Sequence, residues 1–143
     1  MAKVVAKRNP ARESELGSRR PALLVVEDEA LARNSVSEEM REFGYAVIEA
    51  ANAGEAVAIL AAEHVDAVFS DIYMPGPMNG LELAAWIRFN FPSTPVVLTS
   101  GYAAARAYAA PVSAYFFAKP YKASAVCARI RGLLDEIRTG GGE

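Results

Sequence analysis

Cysteine is nearly missing from this 143-residue chain: Cys127 stands alone, so no intramolecular disulfide can staple the fold. Its place inside an apolar helical pattern points to a buried structural thiol, and no chemistry is assigned to it. No uninterrupted apolar run approaches the roughly 18 residues needed to cross a bilayer, which excludes a membrane-spanning helix. The basic N-terminus lacks the apolar stretch and small-residue cleavage site of a secretory signal, so a cytoplasmic location is expected. A glycine-rich turn after the first apolar run is missing too. Glu27, Asp28 and Glu29 stand there, and their charges would repel a pyrophosphate, which argues against a dinucleotide-binding enzyme. The single histidine, His64, closes a helical stretch and reads as a surface residue.

What is present is ordinary for a soluble globular chain, with 52% hydrophobic and 22% charged residues. The length fits one domain, able to bury about two-thirds of the surface its unfolded chain exposes. Charge is unevenly spread. Residues 1–20 carry six basic and two acidic side chains, and the remainder nine basic and fifteen acidic, so a +4 arm precedes a −6 body within a net −2. The arm has neither aromatics nor periodicity, which favours a solvated extension over a nucleic-acid contact.

From Pro21 onward, short apolar runs alternate with segments of helical period, the pattern of βαβ units. Ala22–Val26, Ala67–Phe69, Pro95–Leu98 and Ala114–Ala118 are almost continuously apolar, as parallel strands covered on both faces must be. Tyr45–Ala50 contains Glu49 and is expected nearer an edge. Asn52 with Glu55, and Asn79 with Glu82, read as N-caps with capping-box partners. Ala32, Val36, Met40 and Phe43 share one face of a helix stopped by Gly44, and a final helix carries Val126, Cys127, Ile130, Leu133, Leu134 and Ile137. The segment between Ser100 and Phe116, with its alanines and Pro111, leaves room for only a short, weakly anchored helix, expected to be mobile.

Polar residues end these strands: Glu27 and Asp28 after the first, Asp71 after the third, Ser100 after the fourth, and Lys119 near the end of the fifth. An open parallel sheet binds ligands at that carboxyl edge, so three carboxylates, a hydroxyl and an ammonium converge there. Like charges about 4 Å apart repel by roughly 4 kcal/mol at an effective dielectric of about 20. Either one carboxylate stays protonated or a hard cation neutralises them, and an all-oxygen set suits Mg²⁺. Asp28 and Asp71 would bind it directly and Glu27 through water or a longer reach, with the Tyr73 backbone carbonyl completing the protein's share. Asp71 also resembles the nucleophile of haloacid dehalogenase phosphatases, but their acid two residues on is replaced here by Tyr73.

The segments LLVVEDE (Leu23–Glu29), FSDIYMPGPMNG (Phe69–Gly80), PVVLTSGY (Pro95–Tyr102) and FFAKPY (Phe116–Tyr121) together resemble the receiver domain of two-component response regulators, the CheY-like family. The resemblance covers about residues 21–138, leaving residues 1–20 as a basic extension and 139–143 as a glycine-rich tail. It implies an α/β, flavodoxin-like doubly wound sheet of five parallel strands, order 2-1-3-4-5, with five helices, the fourth short or irregular. It further implies that Asp71 takes a phosphoryl group from the phosphohistidine of a sensor histidine kinase or histidine phosphotransferase, with Mg²⁺ held by Glu27, Asp28, Asp71 and the Tyr73 carbonyl. Lys119 and Ser100 would contact phosphoryl oxygens, Pro120 would follow a cis peptide, and Phe116 would swing inward as the switch beside Ser100. Such a domain is no enzyme beyond its own phosphorylation and dephosphorylation.

This chain differs from the commoner pattern at Glu27, which is longer than aspartate, and at Phe116, which lacks a tyrosine hydroxyl. Gly76 and Pro77 alter the loop after Pro75, and the fourth helix is short. The output surface is expected at the fourth helix, fifth strand and fifth helix. No effector domain is recognisable, so a stand-alone regulator is expected, acting through an unknown downstream protein, a homodimer or phosphate relay, away from membranes and nucleic acid. The alternative is an interaction module with this fold that signals without phosphorylation.

Overall fold

The computed structural model describes residues 19–102, 104–112 and 115–140. Most of the expected basic extension, Ala114 of the expected fifth strand, and residues 141–143 lie outside these. The elements alternate: β1 (Ala22–Val26), α1 (Ala30–Glu42), β2 (Ala46–Ala50), α2 (Ala53–Ala62), β3 (Ala67–Asp71), α3 (Gly80–Asn90), β4 (Val96–Ser100), α4 (Ala105–Ala109), β5 (Tyr115–Ala118) and α5 (Ala123–Gly140). All strand pairs are parallel, in the order β2-β1-β3-β4-β5, so the expected doubly wound architecture is the one observed. Among the described residues no helix is long and apolar enough to cross a membrane.

The apolar strand runs are explained by burial on both faces. Leu24, Val26, Val68 and Leu98 face one core with Leu60 of α2 and with Leu83, Trp86 and Ile87 of α3. Their neighbours Leu23, Val25, Phe69 and Val97 face the other, with Val36 and Met40 of α1 and Val126, Cys127, Ile130 and Leu133 of α5. Consecutive strand side chains point to opposite faces, so a strand between two helical layers has no polar side. β2 lies at the sheet edge as expected, and its Glu49 pairs with Arg33 and Arg41 of α1. Cys127 is buried, and burial pushes its thiol up to about 11, which leaves it inert.

The helix ends follow local sequence. Asn79 accepts from the Glu82 amide and Glu82 accepts from the Asn79 amide, a complete capping box. Asn52 caps α2 in the same way, but Glu55 reaches one residue further back, to the Ala51 amide. Gly44, at φ +100°, ends α1: its amide bonds to the Arg41 carbonyl and that of Tyr45 to the Met40 carbonyl, a Schellman motif. This corrects one expectation. Phe43 is the C-cap and 47% exposed, because the motif turns the chain away before the apolar face is complete. Ile137, at 39% exposure, likewise lies past the packed part of the α5 stripe, and that helix runs through Thr139 and Gly140.

Candidate functional site

The carboxyl edge of the sheet collects the acidic groups because β1 and β3 end there in register, Val26 paired with Ser70. Asp71 is the last residue of β3, and Glu27 and Asp28 follow β1 directly. One carboxylate oxygen from each lies within 4.8 Å of the others. Glu27 and Asp71 are nearly buried while Asp28 is exposed. At the end of β5 the Lys119–Pro120 peptide is cis, and the Lys119 amide bonds to the Ser100 carbonyl. The Lys119 ammonium donates to Asp71 Oδ2 at 2.8 Å and to Glu27 Oε1 at 3.4 Å. Burial works against this charge, but the Asp71 hydrogen bond and attraction, followed by those of Glu27, reverse that and hold the ammonium above its ordinary pKa. Glu27 is further engaged, its Oε2 accepting from the Glu29 amide at 3.1 Å.

Asp71 is held from behind. Its own carbonyl accepts from the Ser70 hydroxyl, the Ile72 amide bonds to the Thr99 carbonyl, and the Gly80 amide bonds to the Ile72 carbonyl at 2.7 Å. A Cβ on Gly80 would collide with the Asp71 carbonyl oxygen and sit 2.7 Å from Ile72 Cα, so α3 can begin against β3 only with glycine there.

Ser100 is fully buried at the end of β4, and its Oγ accepts from the Tyr102 amide at 3.0 Å. Its neighbour Thr99, not Ser100, is the register partner of Asp71, and the Thr99 hydroxyl ties β4 to the Phe117 carbonyl at 2.7 Å. Tyr73 leaves its ring half exposed, edge-on to Tyr102 with centroids 5.4 Å apart. Phe116, expected to move inward on switching, already packs in the α2–α3–α4 core at 9% exposure, with the Arg106 guanidinium 4.9 Å from its ring centroid. Without a hydroxyl to solvate, this ring has no polar reason to face water. His64 pairs with Asp66 at 2.8 Å, away from the acidic cluster. The close approach at Gly80 was missed by sequence reasoning, although its place directly after a cap residue offered a signal.

The sequence profile of the response regulator receiver domain matches residues 23–131. The chain belongs to that family. It is 35% identical over 107 residues to the response regulator protein FleR of Pseudomonas aeruginosa, covering 73% of this chain and 22% of FleR. To the autoinducer 1 sensor kinase/phosphatase LuxN of Vibrio campbellii it is 32% identical over 87 residues, 61% of this chain and 10% of LuxN. The chain thus spans about a quarter or less of the length of these curated relatives. The crystal structure of the response regulator TrrA from Thermotoga maritima, in complex with Mg²⁺ and BeF, is similar at a TM-score of 0.74 and 29% identity, covering 79% of this chain and 98% of that one.

Receiver domains bind Mg²⁺ at an acidic pocket, and the donor set here fits that ion. Three carboxylates of unlike burial within 4.8 Å supply only hard oxygen, with one exposed group, Asp28, at the solvent side. The Lys119 ammonium offsets part of the charge of the two more buried acids.

Proposed function

We propose that this receiver domain is an Mg²⁺-dependent phosphoacceptor. Asp71 takes the phosphoryl group from the phosphohistidine of a sensor histidine kinase or histidine phosphotransferase. The observation that carries the reading is the Lys119 ammonium at 2.8 Å from Asp71 Oδ2 inside a cluster of three carboxylates. An Asp71 oxygen attacks phosphorus, the P–N bond breaks, and the electron pair leaves with the imidazole, giving an acyl phosphate. Glu27, Asp28, Asp71 and the Tyr73 carbonyl would hold Mg²⁺, which when bound supplies the positive charge that offsets developing negative charge on the phosphoryl oxygens. Lys119 gives its proton-bearing nitrogen to one phosphoryl oxygen in exchange for Asp71 Oδ2. Because Ser100 Oγ accepts from the Tyr102 amide, its own O–H remains to be donated, and a turn of the hydroxyl toward Asp71 would reach another phosphoryl oxygen.

The signal leaves through differential contact with the phosphate, which biases arrangements that already exist. Since Phe116 starts buried, the moving parts are Ser100, its Tyr102 loop and α4 rather than a ring crossing from solvent to core. Downstream, a protein partner or a second copy would read the α4–β5–α5 face. Hydrolysis of the acyl phosphate ends the signal.

Incubation with acetyl phosphate and Mg²⁺ followed by intact-mass measurement tests this. One labile phosphate is expected on the wild type, none on Asp71→Asn, and none in excess EDTA. A wild type that binds partners equally well with Asp71→Asn and never gains mass would instead establish the phosphorylation-independent module.

A further inference from the structure

Glu27 and Asp28 lie on a turn, not on a strand, and a turn bearing like charges needs something to keep its carboxylates together. The Glu27 amide is held by the Ala50 carbonyl at 3.1 Å, at the end of β2. Its carbonyl is held by Arg33, whose Nη1 donates at 2.8 Å from the first turn of α1. The same guanidinium, through Nε, meets Glu49 Oε1 at 3.3 Å, and the other oxygen of Glu49 meets Arg41 Nη2 at 3.2 Å. Glu49 belongs to β2 and sits in register with Val25 of β1. Arg33 thus spans from the acidic turn to the neighbouring strand, and its side chain is 20% exposed. The Glu27 carboxylate takes no part in this, being turned to Lys119 and the Glu29 amide.

We infer that Arg33 is a positioning residue for the cation site: braced by Glu49, it fixes the Glu27 peptide so that the Glu27 and Asp28 carboxylates converge on Asp71. This rests on the Mg²⁺ reading above and adds to it a residue that touches neither metal nor phosphate. Two physical effects of Arg33 have opposite signs, which makes the inference testable. A nearby positive charge repels Mg²⁺, so deleting it would tighten binding if charge were all that mattered. A lost positioning contact weakens binding, and such outer contacts typically carry about 10-fold or more in metal affinity.

Calorimetric titration of the full chain with MgCl₂ separates the two. Arg33→Ala is expected to bind about 10-fold more weakly. Arg33→Ala combined with Glu49→Gln removes the pair without changing net charge and is expected to stay weak. Arg33→Lys keeps the charge but cannot hold the carbonyl and Glu49 in one planar fork, and is expected to fall between. Unchanged or tighter binding by Arg33→Ala, or wild-type affinity in the double variant, would overturn the inference. Should Arg33→Ala not fold, Arg33→Lys and the double variant decide. Amide hydrogen exchange in metal-free protein gives an arm independent of the ion. The Glu27 and Glu29 amides, bonded to the Ala50 carbonyl and to Glu27 Oε2, should exchange several-fold faster in the variants while β3 is unaffected, and equal protection would sink the proposal even if the wild type took up no Mg²⁺. Absent uptake by the wild type counts against the cation site itself.

Discussion

Around Asp71 the backbone is tied on both sides, to Thr99 of β4 and to Gly80 of α3, and α3 buries Leu83, Ala84, Trp86 and Ile87 behind it. Beside Phe116 the covering helix, α4, has five residues, no side-chain cap, and buries two alanines. Both regions border the same sheet edge and share one apolar core. Burial of a large aliphatic side chain contributes about 1.5–3 kcal/mol and an alanine far less, so α4 opens at a lower free energy than α3. The proposed phosphoacceptor chemistry, which needs its carboxylates fixed, would use the first region, and the proposed switching, which needs alternatives close in energy, the second.

The contrast breaks most sharply at Gly80. In Gly80→Ala the new Cβ meets the Asp71–Ile72 backbone, which cannot rotate away, so α3 must withdraw from β3. A loss of about 3 kcal/mol or more in urea unfolding is expected, together with weaker Mg²⁺ binding as Asp71 loses its support. A Gly80→Ala protein as stable as wild type would show that α3 is free to shift. Next in size, Ile87→Ala should cost about 2–5 kcal/mol, against about 1 kcal/mol for Ala109→Gly in α4. In native-state hydrogen exchange the α3 amides should follow the global loss in Ile87→Ala, while the α4 amides, exchanging through local opening, should not change. Equal protection of the two helices would erase the comparison.

The same divide marks what could be read from the residues beforehand. Strand positions, helix starts and the meeting of Glu27, Asp28, Asp71 and Lys119 were legible because each depends on local signals: apolar runs, cap residues, and polar residues at strand ends. The strand order came only through the family resemblance. Side-chain direction was not legible. Ser100 turns its oxygen to the Tyr102 amide, Phe116 is already inside, and Phe43 is left in solvent by the Schellman turn, all outcomes of tertiary packing that no spacing encodes. Arg33 escaped for a related reason. Its carbonyl partner is six residues away and its carboxylate partner lies on another strand, so only the folded chain brings the three together.

Lys119 joins the two regions, since it leaves β5 and ends on Asp71. Its pKa is held above the ordinary lysine value, so its contribution to stability is complete below that ordinary value and is lost only as pH rises through the higher, folded one. Near neutral pH the contact is therefore at full strength. Lys119→Met leaves Glu27 and Asp71 facing each other without a cation, and Mg²⁺ then has no competitor for Asp71 Oδ2. Calorimetry at pH 7 should show Mg²⁺ binding several-fold tighter, while uptake of phosphate from acetyl phosphate falls. Weaker Mg²⁺ binding would mean that the ammonium helps to shape the site rather than competing for it.

The smallest effect is expected at Arg106, and it tests whether the α4 flank is energetically separate from the acidic site. The guanidinium covers the Phe116 ring at 4.9 Å from the surface side, a contact contributing about 0.5–1 kcal/mol when exposed. Phe116 itself is retained by Ala105, Ala109 and the rest of the apolar core, so Arg106→Ala removes a cover and not the packing. Unfolding in urea should shift by that amount, with amide exchange accelerated in α4 and β5 alone. Because Arg106 makes no hydrogen bond or ion pair with Glu27, Asp28 or Asp71 among the described residues, Mg²⁺ affinity should stay within about twofold of wild type. An Arg106→Ala protein with markedly altered Mg²⁺ affinity would show that the two regions are coupled before any phosphate arrives, and the division of labour between a fixed site and a loosely held flank would have to be abandoned.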